Sequence, residues 1–203
     1  MSLVAIVDNG GGNVASVRFA LERLGCETLV TRDPGQLRAA PRVILPGVGA
    51  AREAMQRLRS AGLERVIPAL TQPVLGICLG MQLLYAASAE GDTDCLGILE
   101  GRATRFAELP GRSVPHMGWN QLTPVRPSPL LAGIHPGDYA YFVHSYALPP
   151  GPDTVATCDY GGPFTAIVSR GNFHGAQFHP ERSAGTGARL LANFLALGSG
   201  PCS

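Results

Sequence analysis

Cys78 stands between two glycines, in Gly76-Ile77-Cys78-Leu79-Gly80, after a short apolar run and before a stretch of helical spacing. A G-x-nucleophile-x-G sequence at a strand-to-helix junction is the pattern of a nucleophile elbow, where glycines relieve crowding at a strained turn. A thiol placed there meets the positive end of a helix, which favours the thiolate, and the N–H of Leu79 can point at an oxyanion. Taken alone, the same five residues suit a small buried side chain in a βα corner equally well.

A reactive thiol needs a proton shuttle, and the chain has five histidines: His116, His135, His144, His174 and His179. His179 closes the strand-like FHGAQFH and is followed by Pro180 and Glu181. A carboxylate two residues on can orient that imidazole and stabilise its cation, as the third member of a triad does. The other four read as core histidines in the first instance, and His174 with His179 lacks metal-ligand spacing. A second oxyanion donor would complete the set. Pro46-Gly47-Val48-Gly49 has the glycines to turn a peptide N–H toward the thiol, although by itself it is also an ordinary strand-to-helix turn.

These residues must be held by the elements around them. LVAIVD (3–8), ETLVT (27–31), RVIL (42–45) and PVLGI (73–77) read as short apolar strands. Helical spacing runs from Asn13 to Leu24, from Ala51 to Leu70 with a break near Gly62, and onward from Leu79. Strands alternating with amphipathic helices predict a parallel sheet covered on both faces. The second half is rich in Pro and Gly, with strands near 95–99, 102–105, 139–143, 154–158, 164–168 and 172–178, read as antiparallel or mixed. Ala184 to Leu197 closes the chain as a helix. The expectation is one α/β domain over 1–203, with a central mostly parallel sheet and added antiparallel strands in the C-terminal half.

Composition narrows the function classes. Of 203 residues, 45% are hydrophobic and 15% charged, with net charge +1 and basic side chains scattered, so nothing marks a nucleic-acid surface. MSLVAIVDNGGG is too short and unbasic for a signal peptide, and no apolar run approaches the ~18–20 residues that span a bilayer. The expectation is a soluble, cytoplasmic protein. Cys26, Cys78, Cys95, Cys158 and Cys202 are odd in number and irregular in spacing, which argues against a disulfide framework or a zinc site. A rival signal is Gly10-Gly11-Gly12-Asn13-Val14-Ala15, a G-x-G-x-x-A run after a strand, with Asp33 at the end of the second strand. That layout fits a dinucleotide site, and equally a tight βα turn.

PGVGA, LGICLGMQLL and GAQFHPERS, in this order, resemble the class I (triad) glutamine amidotransferases. Within that class VPHMGWN (114–120), YFVHSY (141–146) and the opening VDNGGGNVASV are similar to the glutaminase subunits of imidazole glycerol phosphate synthases, and the likeness runs from about Leu3 to Leu197. The resemblance implies a flavodoxin-like fold, Cys78 as nucleophile, His179 as general base and acid, and Glu181 as its orienting carboxylate. It implies an oxyanion hole from Leu79 and the Gly47-Val48-Gly49 strand, whose peptide is expected to turn in only when a partner is loaded. Gly80, Gln82, Glu90, Tyr141, His144 and Ser145 match substrate-binding positions. Met117, Trp119 and Asn120, with Asn13, match interface or coupling positions toward a (β/α)₈ cyclase subunit in a heterodimer. Trp119 read alone, in a Gly- and Pro-bounded loop, could also plug the core. One departure is Asn9, where the family commonly has an aromatic residue. The implied chemistry, glutamine hydrolysis through a thioester, requires no cofactor and no metal. A free-standing γ-glutamyl hydrolase or cysteine peptidase would use the same triad without a partner.

Overall fold

Three strands of the first half, Leu3–Val7, Val43–Gly47 and Val74–Cys78, are apolar and buried almost throughout, while the edge strand Glu27–Thr31 is half-exposed. The computed structural model describes residues 3–10 and 13–198; Gly11, Gly12 and Cys202 lie outside the described residues. The first half runs β1 (Leu3–Val7), α1 (Val14–Arg23), β2 (Glu27–Thr31), α2 (Pro34–Ala39), β3 (Val43–Gly47), α3 (Ala51–Ser60), β4 (Val74–Cys78) and α4 (Leu79–Leu84). Val4, Ile6, Ile44, Leu75 and Ile77 pack into one buried cluster, and Ala5, Val7, Val43, Leu45 and Val74 into another. Alternate residues thus feed two cores on opposite faces, as a parallel sheet with helices on both sides requires.

The second half continues with β5 (Tyr85–Ser88), β6 (Thr93–Asp94), β7 (Leu99–Arg105), β8 (His116–Gln121), β9 (Thr123–Pro124), β10 (Tyr139–His144), β11 (Tyr146–Ala147), β12 (Thr154–Asp159), β13 (Pro163–Arg170), β14 (Phe173–Ala176) and α5 (Ala184–Ala196). The main sheet has the order β2-β1-β3-β4-β14-β13-β12-β9. It is parallel from β2 to β14 and antiparallel beyond. This is the expected α/β architecture. β14 inserts directly beside β4, so segments distant in sequence end at the same sheet edge.

Four local readings differ. The helix after Leu79 lasts six residues, because Tyr85 enters a parallel pairing with Leu99. The PHMGWN segment is a strand rather than a loop: β8 pairs antiparallel with β10, placing Trp119 opposite Tyr141 and His116 opposite His144. The helix expected to Leu70 stops at Ser60, Gly62 takes φ +69°, and only a 3-10 turn follows at Ile67–Ala69. Finally, α2 was hidden in DPGQLRA: Pro34 opens it and Asp33 accepts from the Gln36 N–H at 2.7 Å. Asp33 therefore caps a helix, which removes the acidic residue on which the dinucleotide reading relied.

Candidate active site

Cys78 ends β4 with φ 53° and ψ −112°, a backbone conformation that non-glycine residues rarely adopt. Such strain, of order 1–3 kcal/mol, persists only where the surroundings enforce it. The flanking glycines do so. A Cβ on Gly76 would stand 2.7 Å from Gly80 C and Met81 Cα, and one on Gly80 would collide with the Leu45 carbonyl oxygen. Gly47, paired in register with Cys78, would bring a Cβ to 2.5 Å of Gly80 N. Three glycines therefore form the seam on which α4 lies against β3 and β4. Gly47 and Gly80, expected at the oxyanion hole and the substrate, serve this packing and do not line the cavity beside Cys78, whereas Val48, Gly49 and Leu79 do.

His179 arrives from the neighbouring strand. Its N–H donates to the Tyr141 carbonyl at 3.0 Å. Buried Ser183 donates to the His179 carbonyl at 2.7 Å and accepts from the Tyr141 N–H at 2.9 Å. A 3-10 turn over Pro180–Arg182 folds Glu181 back under the ring. His179 Nδ1 lies 2.8 Å from Glu181 Oε1, and the Glu181 side chain is fully buried. Burial alone would lower the imidazole pKa; hydrogen bonds to Cys78 and to Glu181, and their charges, outweigh it and raise it to about 10. The ring thus holds its proton at neutral pH, between a sulfur and a carboxylate.

A cavity of about 510 Å³ opens over Cys78 and His179. Gln82, Glu90, His144 and Ser145 line it as expected; Tyr141 does not, its ring lying between Trp119 and Arg182. Gln82 Nε2 donates to the Tyr146 carbonyl at 2.9 Å and to Gln177 Oε1 at 3.0 Å, while Gln177 Nε2 lies 3.8 Å from the Cys78 sulfur. Glu90 accepts from the Ala51 N–H at 2.8 Å, tying the cavity wall to the start of α3. His144 is no proton shuttle at neutral pH, because burial lowers its pKa to about 3. It bonds the Tyr146 carbonyl at 2.8 Å and His116 at 3.1 Å within a nest of aromatic rings.

The four residues matched to an interface separate into two groups. Met117 and Trp119 are 63% and 52% exposed, so Trp119 is not a core plug. Asn120 is half-buried, donating to the Asp159 carbonyl at 2.8 Å and approaching His116 at 3.3 Å. Asn13 is also drawn inward, to Glu181 and His179. Asn9 is buried, its amide donating to the Pro46 carbonyl, which accounts for a polar residue where an aromatic one was expected. Gln177 and Ser183 were not singled out in the sequence. Their only signal was adjacency to His179-Pro180-Glu181. Cys158 and Cys95 are pushed up by burial to about 12 and about 11, as inert thiols.

The profile of the family described as glutamine amidotransferase class-I matches residues 5–197. The imidazole glycerol phosphate synthase subunit HisH of Xanthomonas euvesicatoria pv. vesicatoria is 60% identical over 195 residues, covering 96% of this chain and 98% of that one. The HisH subunit of Xylella fastidiosa (strain Temecula1) is 58% identical over the same shares. Among solved structures, one described as a glutamine amidotransferase superposes with TM-score 0.75 at 23% identity, over 97% of this chain and 99% of that one. A putative GMP synthase subunit from Thermoplasma acidophilum gives 0.74 at 19%, over 97% and 93%. Those two likenesses speak to the fold alone. By family profile and by full-length relatives, the chain belongs to the class I glutamine amidotransferases.

Proposed function

We propose that this chain is the glutaminase subunit of an imidazole glycerol phosphate synthase, hydrolysing glutamine and handing ammonia to a cyclase partner in histidine biosynthesis. The observation that carries the chemistry is that His179, its Nδ1 2.8 Å from the buried Glu181 carboxylate, lines the same cavity as Cys78. An imidazolium beside sulfur favours the thiolate. The Cys78 sulfur attacks the side-chain amide carbon of glutamine, and the carbonyl electrons move onto oxygen. The N–H groups of Leu79 and of the Val48–Gly49 turn stabilise that oxyanion, a donor of this kind being worth ~3 kcal/mol. His179 gives its proton to the departing nitrogen as the C–N bond breaks, leaving a γ-glutamyl thioester and ammonia. His179 then takes a proton from water, which attacks the thioester to release glutamate and the thiolate.

Gln82, Glu90 and Ser145 line the same cavity as Cys78 and hold the amino and carboxylate groups of glutamine. The partner is a (β/α)₈ cyclase that docks over Trp119 and Met117, and the complex works in the cytoplasm. No helix among the described residues is long and apolar enough to cross a membrane. The test is glutamate release by the chain with and without the cyclase and its phosphoribosyl ligand. Release that depends on ligand and is abolished in Cys78→Ala is expected. Full-rate turnover by the chain alone would point instead to a free-standing hydrolase.

A further inference from the structure

Asn13 occupies the N-cap position of α1, where asparagine normally accepts a bond from the second or third helical N–H, yet its side chain makes no cap bond. Its amide turns instead to the triad, donating to Glu181 Oε1, with Nδ2 also 3.2 Å from His179 Nδ1. His179 Nδ1 directs its own proton at the same carboxylate oxygen, 2.8 Å away. Nδ2 and Nδ1 are therefore two donors converging on Oε1, not partners of one another. The other carboxylate oxygen, Oε2, is buried and has no side-chain or backbone donor. With the Glu181 side chain wholly out of solvent, its rotation about the last side-chain bond is fixed through Oε1 alone, by His179 and by Asn13. His179 is the group being oriented, so Asn13 is the independent restraint. Giving up a helix cap to supply it is the kind of local exception that marks a functional position.

We propose that Asn13 is a positioning residue of the triad: its amide fixes the Glu181 carboxylate, and through it the His179 ring over Cys78. This rests on the glutaminase reading for its reaction, but not for its geometry.

The test exploits the fact that Asp, Asn and Ser are near-equal helix caps. If Asn13 only capped α1, Asn13→Asp would be silent. If it donates to Glu181, Asn13→Asp replaces the donor with a second carboxylate and is the most damaging change. Expected at saturating cyclase partner and ligand are an unchanged melting temperature and a kcat lowered about 100-fold in Asn13→Asp and about tenfold in Asn13→Ala, with KM for glutamine within about twofold. In a Glu181→Gln background the Asn13→Asp loss should shrink, since the glutamine amide can now donate to the new carboxylate. A second readout needs neither partner nor turnover: the pH profile of Cys78 alkylation by iodoacetamide should shift in both variants, because His179 loses its fixed carboxylate. A silent Asn13→Asp, a loss that disappears at saturating partner, a loss of equal size in the Glu181→Gln background, or superimposable alkylation profiles would each overturn the assignment. Wild-type chain inert toward glutamine even at saturating partner and ligand, but with shifted profiles in the variants, would sink the glutaminase reading and leave Asn13 in place.

Discussion

Gly80→Ala is a one-carbon change that should disable the site from behind. An ideal Cβ on Gly80 lies 1.8 Å from the Leu45 carbonyl oxygen and 2.8 Å from the Leu45 carbon. Real Cβ atoms do not come closer than 3.0 Å, so helix and strand must part by at least 1.2 Å (from 1.8 to 3.0 Å). Both sides of the clash are backbone, and no rotamer relieves it. The strand cannot yield easily, because β3 is buried and paired on both edges. The displacement therefore passes into α4, which begins at Leu79 and carries Gln82 on the cavity wall. Overpacking of this kind costs ~1–3 kcal/mol of stability, and a 1 Å misplacement of reacting groups can cost about 10²-fold in rate. The assay is glutamate release by the complex, with a thermal melt of the same preparation. We expect a kcat down about 100-fold in a protein that still folds, with its melting temperature lowered by several degrees. Gly185→Ala is the control, since a Cβ at Gly185 meets nothing within 4 Å. Wild-type kcat and melting temperature in Gly80→Ala would refute the glycine-seam account of the elbow.

Other outcomes follow from the same structure. Gly187→Ala should act on the opposite half of the triad, because a Cβ there collides with the Pro180 carbonyl beside Glu181; kcat should fall while Cys78 keeps its place in β4. Trp119→Ala, at a 52% exposed ring stacked edge-on to Tyr141, should weaken cyclase binding by about 2 kcal/mol or more in titration calorimetry and leave the melting temperature of the free chain alone. Burial lowers the pKa values of His116, His144 and His174 to about 4, about 3 and about 4. The unfolded chain takes up those protons below pH ~6.5 and the native one does not until pH ~4, so stability should fall across that window, by up to ~1.4 kcal/mol per pH unit per histidine. His179, raised to about 10, has the opposite sign: its contribution is whole below pH ~6.5 and is lost as pH climbs toward 10. Urea unfolding at pH 4.5, 7 and 9.5 should therefore show a maximum near neutrality, and a flat profile would contradict both assignments.

The parallel half was legible because its strands are short runs bounded by helical spacing; β2 is bounded as predicted, and β1, β3 and β4 to within two residues. The ends of α1 and α5 were read to within one residue, but the far ends of α3 and α4 were not. The chain from Leu79 keeps helix-like apolar spacing past Leu84, and only the pairing of Tyr85 with Leu99 decides that a strand begins there. β8 was hidden for a related reason: glycine and proline around HMGWN read as loop, while its strand character comes from β10, distant in sequence. At the site, Cys78, His179 and Glu181 were readable because the motif itself encodes nearness, an elbow on one side and a two-residue step on the other. Roles that depend on what faces a residue were not readable. At Gly47 and Gly80, matched to ligand positions, it is close backbone packing that demands glycine; Asn120, matched to an interface, also ties β8 to the Asp159 carbonyl.

The positions where local rules fail are informative for that reason. Cys78 takes a positive φ that its side chain disfavours, Asn13 declines to cap its helix, and Ser183, at the N-cap of α5, likewise makes no cap bond and holds the His179 carbonyl instead. Each exception gives up local stability of order 1 kcal/mol or more. Each also belongs to or bonds a member of the Cys78, His179 and Glu181 set. These three arrive from β4, the start of α1 and the start of α5 at one part of the sheet edge. That convergence argues that the elements are positioned for the geometry around Cys78, and that the stability lost there is recovered in the two cores on either side of the sheet.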